Sequence, residues 1–248
     1  MSKVFSPNYN DRPEDAIIDL LVMHYTGMQT GQAAFDRMCD PKAEVSAHYM
    51  VDLDGEVIEL VPEKKRAWHA GISCWRGITA LNDTSIGIEI VNPGHEFGYK
   101  NFTDAQMQSV ISLSKEIIQR YRIEARNVVG HSDIAPSRKQ DPGELFNWQL
   151  LAENGIGIWP DVKNVKTPDR ILIHPGKEGV DVGLVQKMLS DFGYHIRVDG
   201  YYGSKTEDVI RAFKRRFATE TLNISWDNLA EARLIRLLEI IDKSRPYI

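Results

Sequence analysis

Residues 17–23, Ile-Ile-Asp-Leu-Leu-Val-Met, are nearly all apolar and run straight into His24-Tyr25-Thr26-Gly27. A short apolar run of this kind suits a central strand buried on both faces, which requires a sheet with cover on each side. The other elements agree. Ala47–Leu53 and Glu56–Val61 flank Asp54-Gly55, which predicts a two-residue hairpin turn. Ile86, Ile88 and Ile90 alternate with Gly87, Glu89 and Val91, which predicts another strand. Thr103 with Gln106 forms a capping box, and Met107, Val110, Ile111, Ile117, Ile118 and Tyr121 follow at helical spacing. Asn127–Gly130 reads as a short strand feeding a loop. Residues 1–160 therefore predict one α/β domain with a sheet at its centre.

Pro160, Pro168, Pro175, Gly176 and Gly179 break the periodicity, which predicts a linker over 161–180. Three helical stripes follow in 181–248. The first holds Leu184, Val185, Met188, Leu189 and Phe192 behind an Asp181 cap. The second holds Val209, Ile210, Phe213 and Phe217 behind a Ser204–Glu207 capping box. The third runs from about Asn228 to Asp242 with Leu234, Leu237, Leu238 and Ile241. A unit of about 70 residues is close to the lower limit for folding alone.

Thirty Lys and Arg against 35 Asp and Glu give a net charge of −5, and there is no long basic run, which argues against nucleic acid as the main partner. The hydrophobic content of 42% and charged content of 26% exclude disorder and collagen-like structure. No apolar stretch reaches the roughly 18 residues of a membrane helix. Cys39 and Cys74 are too few for a disulfide scaffold and read as ordinary half-buried thiols. Met1-Ser-Lys-Val-Phe-Ser-Pro-Asn lacks the apolar core of a signal peptide, so a cytoplasmic location is expected, with the cell envelope as the alternative.

Chemistry concentrates at strand ends. His24 closes the buried strand, where α/β folds place ligands and catalytic groups. His131 sits at the next strand-to-loop junction, and Asp141 follows ten residues later, its backbone stiffened by Pro142. Two imidazoles and a carboxylate could together form a three-ligand zinc set that leaves the fourth position to water, though their spacing is not a local motif such as H-E-x-x-H. Taken singly, His24 also reads as a hydrogen-bonded core histidine and Asp141 as part of a plain Pro-Gly turn. Glu89 is a carboxylate inside an apolar strand, costly unless paired or placed in a solvated cleft, and Gly87 on the same face leaves room beside it. In an extended segment Lys139 projects to the same side as Asp141, and beside a metal-bound Asp141 it could stabilise an oxyanion; it also reads as a solvated surface lysine. Trp68-His69-Ala70-Gly71 and Trp75 suit either sugar rings or core anchoring.

These segments resemble a known family. Met23-His24-Tyr25-Thr26, Ser46-Ala47-His48-Tyr49, Ala67-Trp68-His69-Ala70-Gly71, Asn82 to Glu89 and His131 to Gly143 are similar, in order, to the zinc-dependent N-acetylmuramoyl-L-alanine amidases. Val198-Asp199-Gly200-Tyr201-Tyr202-Gly203 resembles the signature of a peptidoglycan-binding module, as in two-domain bacterial envelope amidases. The resemblance implies a mixed central sheet flanked by helices, plus a small C-terminal three-helix bundle. It implies one Zn2+ per chain on His24, His131 and Asp141, with Glu89 and Lys139 catalytic and Trp68, His69, Asn92 and Arg138 near the substrate. The substrate class implied is peptidoglycan or muropeptides, 1,6-anhydro forms among them, cleaved between muramic acid and L-alanine in degradation or recycling. Envelope relatives often carry a lipoprotein leader, while cytoplasmic recycling relatives generally lack the extra module. Two rivals remain: a non-catalytic peptidoglycan-binding protein, and a hydrolase using Cys74 with His69.

Overall fold

The computed structural model describes residues 2–162 and 169–243. Twelve strands are present among the described residues: β1 Ser2–Lys3, β2 Tyr9–Asp11, β3 Leu20–Tyr25, β4 Tyr49–Val51, β5 Val57–Glu59, β6 Lys65–Ala67, β7 Cys74–Trp75, β8 Ile78–Thr79, β9 Ser85–Ile90, β10 Val128–Gly130, β11 Ile171–Ile173 and β12 Trp226–Asp227. The α-helices are α1 Gly31–Cys39, α2 Gly94–Phe97, α3 Asp104–Tyr121, α4 His131–Ile134, α5 Trp148–Glu153, α6 Val180–Phe192, α7 Ser204–Phe217 and α8 Asn228–Lys243. Six strands form the central sheet in the order β1-β5-β4-β9-β3-β10. Only β4 and β5 pair antiparallel, so the sheet is mixed.

Strand period two divides the core. Leu21, Met23, Ile86 and Ile88 face α3, packing on Met107 and Val110. Leu20, Val22 and Val129 face the other way and share a core with Leu189, Phe213 and Phe217 of the C-terminal helices. The C-terminal helices thus cover part of the second sheet face. Thr103 and Gln106 make the reciprocal capping box that opens α3.

Several boundaries differ from the sequence expectation. The buried strand begins at Leu20, opposite Ser85, and continues through His24 and Tyr25. Ile17 lies ahead of the partner strand's first residue and is 75% exposed. The hairpin turn is longer than two residues: β4–β5 pairing ends at Val51–Val57, Asp52 still donates to the Glu56 carbonyl, and Gly55 takes φ +87°. That positive φ is the feature a three-residue hairpin loop demands. Asp181 is not a cap; Gly179 precedes α6 and Asp181 lies in its first turn, where its charge suits the helix dipole. The Ser204–Glu207 box does not form either, because α7 starts at Ser204 itself with Gly203 as its cap. The Tyr201 ring packs where a Gly203 side chain would stand, so only glycine fits at that cap. The end of the segment read as linker holds β11, which pairs antiparallel with β12 and adds a two-stranded ladder to the three helices. Pro168 lies outside the described residues. No helix among the described residues is long and apolar enough to cross a membrane.

Candidate active site

Three elements bring distant residues together. Parallel pairing of β3 with β9 sets His24 opposite Glu89. Pairing of β10 with β3 sets Gly130 opposite Met23, so His131, the first residue of α4, emerges beside His24. The Gly130 N–H donates to Asp133 Oδ2 at 2.8 Å and fixes that helix entry. Asp141 returns to the same point because the Ser132 N–H donates to the Asp141 carbonyl at 2.9 Å. Beyond it the Asp141–Pro142 peptide is cis, and the Tyr99 hydroxyl donates to the Pro142 carbonyl at 2.7 Å. Gly143, at φ +84°, lies against the Tyr99 hydroxyl and ring with no space for a side chain.

The result is a near-equilateral triangle of donors. His24 Nδ1, His131 Nδ1 and Asp141 Oδ2 lie 3.0 Å from one another, and all three residues are buried. Donors held tetrahedrally at about 2.0 Å from one ion would lie about 3.3 Å apart, so the observed spacing fits a zinc-sized cation. The orienting partners fit as well. His131 Nε2 lies 3.1 Å from the Ala70 carbonyl, which can only accept, so Nε2 carries the proton and Nδ1 presents its lone pair. His24 Nε2 lies 3.0 Å from His69 Nδ1, and His69 Nε2 lies 3.1 Å from Ser85 Oγ, which donates to the Leu81 carbonyl. Running from His24 to Leu81, every donor in that chain has an acceptor, and His24 Nδ1 is left free for a metal.

Electrostatics supports the same protonation. Burial, with the neighbouring His131, pushes His24 down to about 4. Burial, with His24 and His48 beside it, holds His69 well below the usual imidazole value, so its ring is neutral and can accept. Burial opposes ionisation of Asp141, but His131 and His24 outweigh it and hold the carboxyl far below its ordinary range.

Glu89 stands at the rim of the triangle, with Oε1 4.0 Å from His24 Nδ1 and a side chain 15% exposed. Its Oε2 is buried with no hydrogen-bond partner. Burial, reinforced by the charge of Asp141 and opposed by Lys139, pushes the carboxyl well above the ordinary value. Glu89, Lys139, His69, His131 and Asp141 line one cavity of about 410 Å³. Two larger hollows, about 640 and 750 Å³, lie on the C-terminal helices, and neither is lined by the donor triangle. The triangle is the only such donor cluster among the described residues.

The remaining sequence candidates are placed variously. Arg138 lines the cavity and donates to the carbonyls of Ala70 and Ile72. Trp68 is not among the residues lining it; its Nε1 donates to Asn10 Oδ1 at 2.8 Å. Asn92 is buried and its side chain holds the loop after β9, donating to the Lys100 carbonyl and accepting from Gly94 N–H. Trp75 is a core anchor against Phe192 and Tyr194. Cys74 is buried, burial raises its thiol pKa, and both nitrogens of His69 are engaged elsewhere, which removes the basis for a Cys74 nucleophile.

Residues that sequence reasoning did not single out also shape the site. Tyr25 and His95 form a cavity wall, joined by a 2.9 Å contact between the Tyr25 hydroxyl and His95 Nδ1. Asn82 Oδ1 accepts from the backbone N–H groups of both His69 and Ala70, holding the two orienting groups in place. The position of Asn82 in the block ending at Glu89 was a signal, but its partners are set only by folding.

Comparison with known proteins agrees with the geometry. A family model for N-acetylmuramoyl-L-alanine amidase matches residues 13–144, about half of the chain, and one for a peptidoglycan binding domain matches residues 178–220. The chain is 40% identical over 234 residues to N-acetylmuramoyl-L-alanine amidase AmiD of Escherichia coli, covering 90% of this chain and 83% of that protein. It is 39% identical over 163 residues to 1,6-anhydro-N-acetylmuramyl-L-alanine amidase AmpD of the same species, covering 59% of this chain and 87% of that protein. The solved complex of AmiD from E. coli with anhydro-N-acetylmuramic acid-L-Ala-D-gamma-Glu-L-Lys superposes with a TM-score of 0.78 at 39% identity, over 92% of both chains. The crystal structure of AmpDh3 from Pseudomonas aeruginosa gives 0.76 at 31% identity, over 98% of this chain and 100% of that one. With the donor triangle, the mixed sheet and near full-length matches in accord, the chain belongs to the N-acetylmuramoyl-L-alanine amidase family.

Proposed function

We propose that this chain is a one-zinc hydrolase that cleaves the amide between the lactyl group of N-acetylmuramic acid, 1,6-anhydro forms included, and L-alanine of the stem peptide. The observation that carries this reading is the 3.0 Å triangle of His24, His131 and Asp141 beside an unpartnered buried oxygen of Glu89. His24, His131 and Asp141 would hold the ion. When bound, zinc supplies Lewis acidity and brings water in its open position toward a neutral pKa.

The residues of the chain do the rest. The Ala70 carbonyl and His69 keep the two imidazoles in the ligating tautomer. Glu89 takes a proton from the attacking water as the C–O bond forms to give a tetrahedral intermediate, and delivers that proton to the alanine nitrogen as the C–N bond then breaks. The Lys139 ammonium, on the same cavity wall, stabilises the oxyanion of the tetrahedral intermediate. Arg138 offers a second cation at the rim. The division of labour follows the chain: residues 1–160 carry the chemistry and 181–248 bind glycan, a reading supported by the two family matches.

The test is mass spectrometry of products from anhydro and reducing-end muropeptides. Free stem peptide should appear, vanish with a zinc-selective chelator and return with added zinc. Tight binding of muropeptides with no peptide release would favour the non-catalytic binding reading instead.

A further inference from the structure

We propose that Arg215 and Arg216, adjacent on α7, position the two segments that carry His131 and Asp141, so the C-terminal helices form part of the metal site's scaffold. The inference rests on the zinc reading above.

Asp133 lies two residues after His131 and is fully buried. Its Oδ2 accepts from Arg216 Nη1 at 2.7 Å as well as from the Gly130 N–H, and its Oδ1 accepts from the Tyr194 hydroxyl at 2.6 Å. Arg216 Nη2 donates to the Val128 carbonyl at 2.7 Å. One guanidinium therefore joins the strand before His131 to the helix that His131 begins. Its Cζ lies over the rings of Trp148 and Phe217, 4.3 and 4.5 Å from their centroids. The next residue back grips the other segment. Arg215 Nη2 donates to Gln140 Oε1 at 2.8 Å, and Arg215 Nε lies 3.7 Å from Glu144 Oε2. Gln140 and Glu144 bracket Asp141. Successive residues of one helix thus bond to both segments that supply His131 and Asp141 to the donor triangle. Buried carboxylates require such partners, and Asp133 has three of them in Arg216, Tyr194 and the Gly130 N–H.

The experiment measures zinc dissociation from the full chain by competition with a chromophoric chelator, alongside kcat and KM on an anhydromuramyl peptide. Arg216→Lys, Tyr194→Phe and Arg215→Met should each weaken zinc binding by clearly more than about twofold and lower kcat with little change in KM. Arg215→Lys should recover part of the loss. Tyr202→Phe is the matched control: it also removes a buried tyrosine hydroxyl bond, to the Ile224 carbonyl, but one confined to the C-terminal part. Its zinc affinity should stay within about twofold of the parent, even where its Tm falls. Parent-like zinc affinity in Arg216→Lys and Arg215→Met overturns the proposal, as does an equal loss in Tyr202→Phe. A parent chain that binds no zinc overturns the zinc reading and this one with it.

Discussion

Gly87→Ala tests how the outer partners govern the site. Gly87 lies in β9 on the Glu89 face, and its backbone suits any residue, so the effect of a side chain there is purely steric. A Cβ on Gly87 would stand 2.6 Å from His69 Cγ and Nδ1, where ordinary contact begins near 3.4 Å. The imidazole must therefore retreat by about 0.8 Å. It cannot do so without stretching the 3.0 Å contact to His24 Nε2 or the 3.1 Å contact to Ser85 Oγ. Overpacking of this kind costs about 1–3 kcal/mol of stability. Loss of an outer partner of a metal-binding histidine costs about 10–100-fold in metal affinity or activity. Chelator competition and steady-state kinetics on the purified variant read both, with circular dichroism to confirm folding. A folded Gly87→Ala chain whose zinc affinity and kcat/KM match the parent would refute the assignment of His69 as the group that orients His24.

Two further outcomes are expected. Glu89→Gln should keep its metal but lose several orders of magnitude in turnover; near-normal turnover removes Glu89 from the reaction. Acid should destabilise the fold through His48, which burial, with Arg12 close by, pushes down to about 3. The unfolded value is about 6.5, so between these limits the unfolded chain binds the extra proton. Stability from this group is complete above the unfolded value and is lost as pH falls, by about 2 kcal/mol from about pH 7 to about pH 5. Urea unfolding of His48→Gln should show a pH dependence smaller by that amount, and an unchanged dependence would count against the buried neutral ring.

Legibility followed the range of the forces involved. Strand and helix periodicity exposed β3, β9, β10 and α3, because burial of alternate or every third to fourth side chain is written locally. The boundaries slipped where a partner strand sets them: Leu20 begins β3 because Ser85 is its neighbour, which no local pattern records. The cap at Thr103 was legible, being four consecutive residues; the one expected at Ser204 is absent because Ser204 is already the first residue of α7, with Gly203 as its cap. β11 was hidden in a Pro- and Gly-rich stretch, since its partner lies over fifty residues later in β12.

For the site, the sequence by itself determined the chemical inventory: imidazoles and a carboxylate at strand ends, a carboxylate in an apolar strand and a lysine two residues before an aspartate. It also carried the family resemblance. Only the tertiary structure decided that His24, His131 and Asp141 meet at 3.0 Å, that His69 orients a ligand, and that Trp68 is bonded to Asn10 instead of lining the cavity. Only it revealed that Arg215 and Arg216 reach across from α7. Residue types and local spacing are properties of the chain, whereas convergence of groups up to 117 positions apart depends on sheet register and on which faces the core buries together.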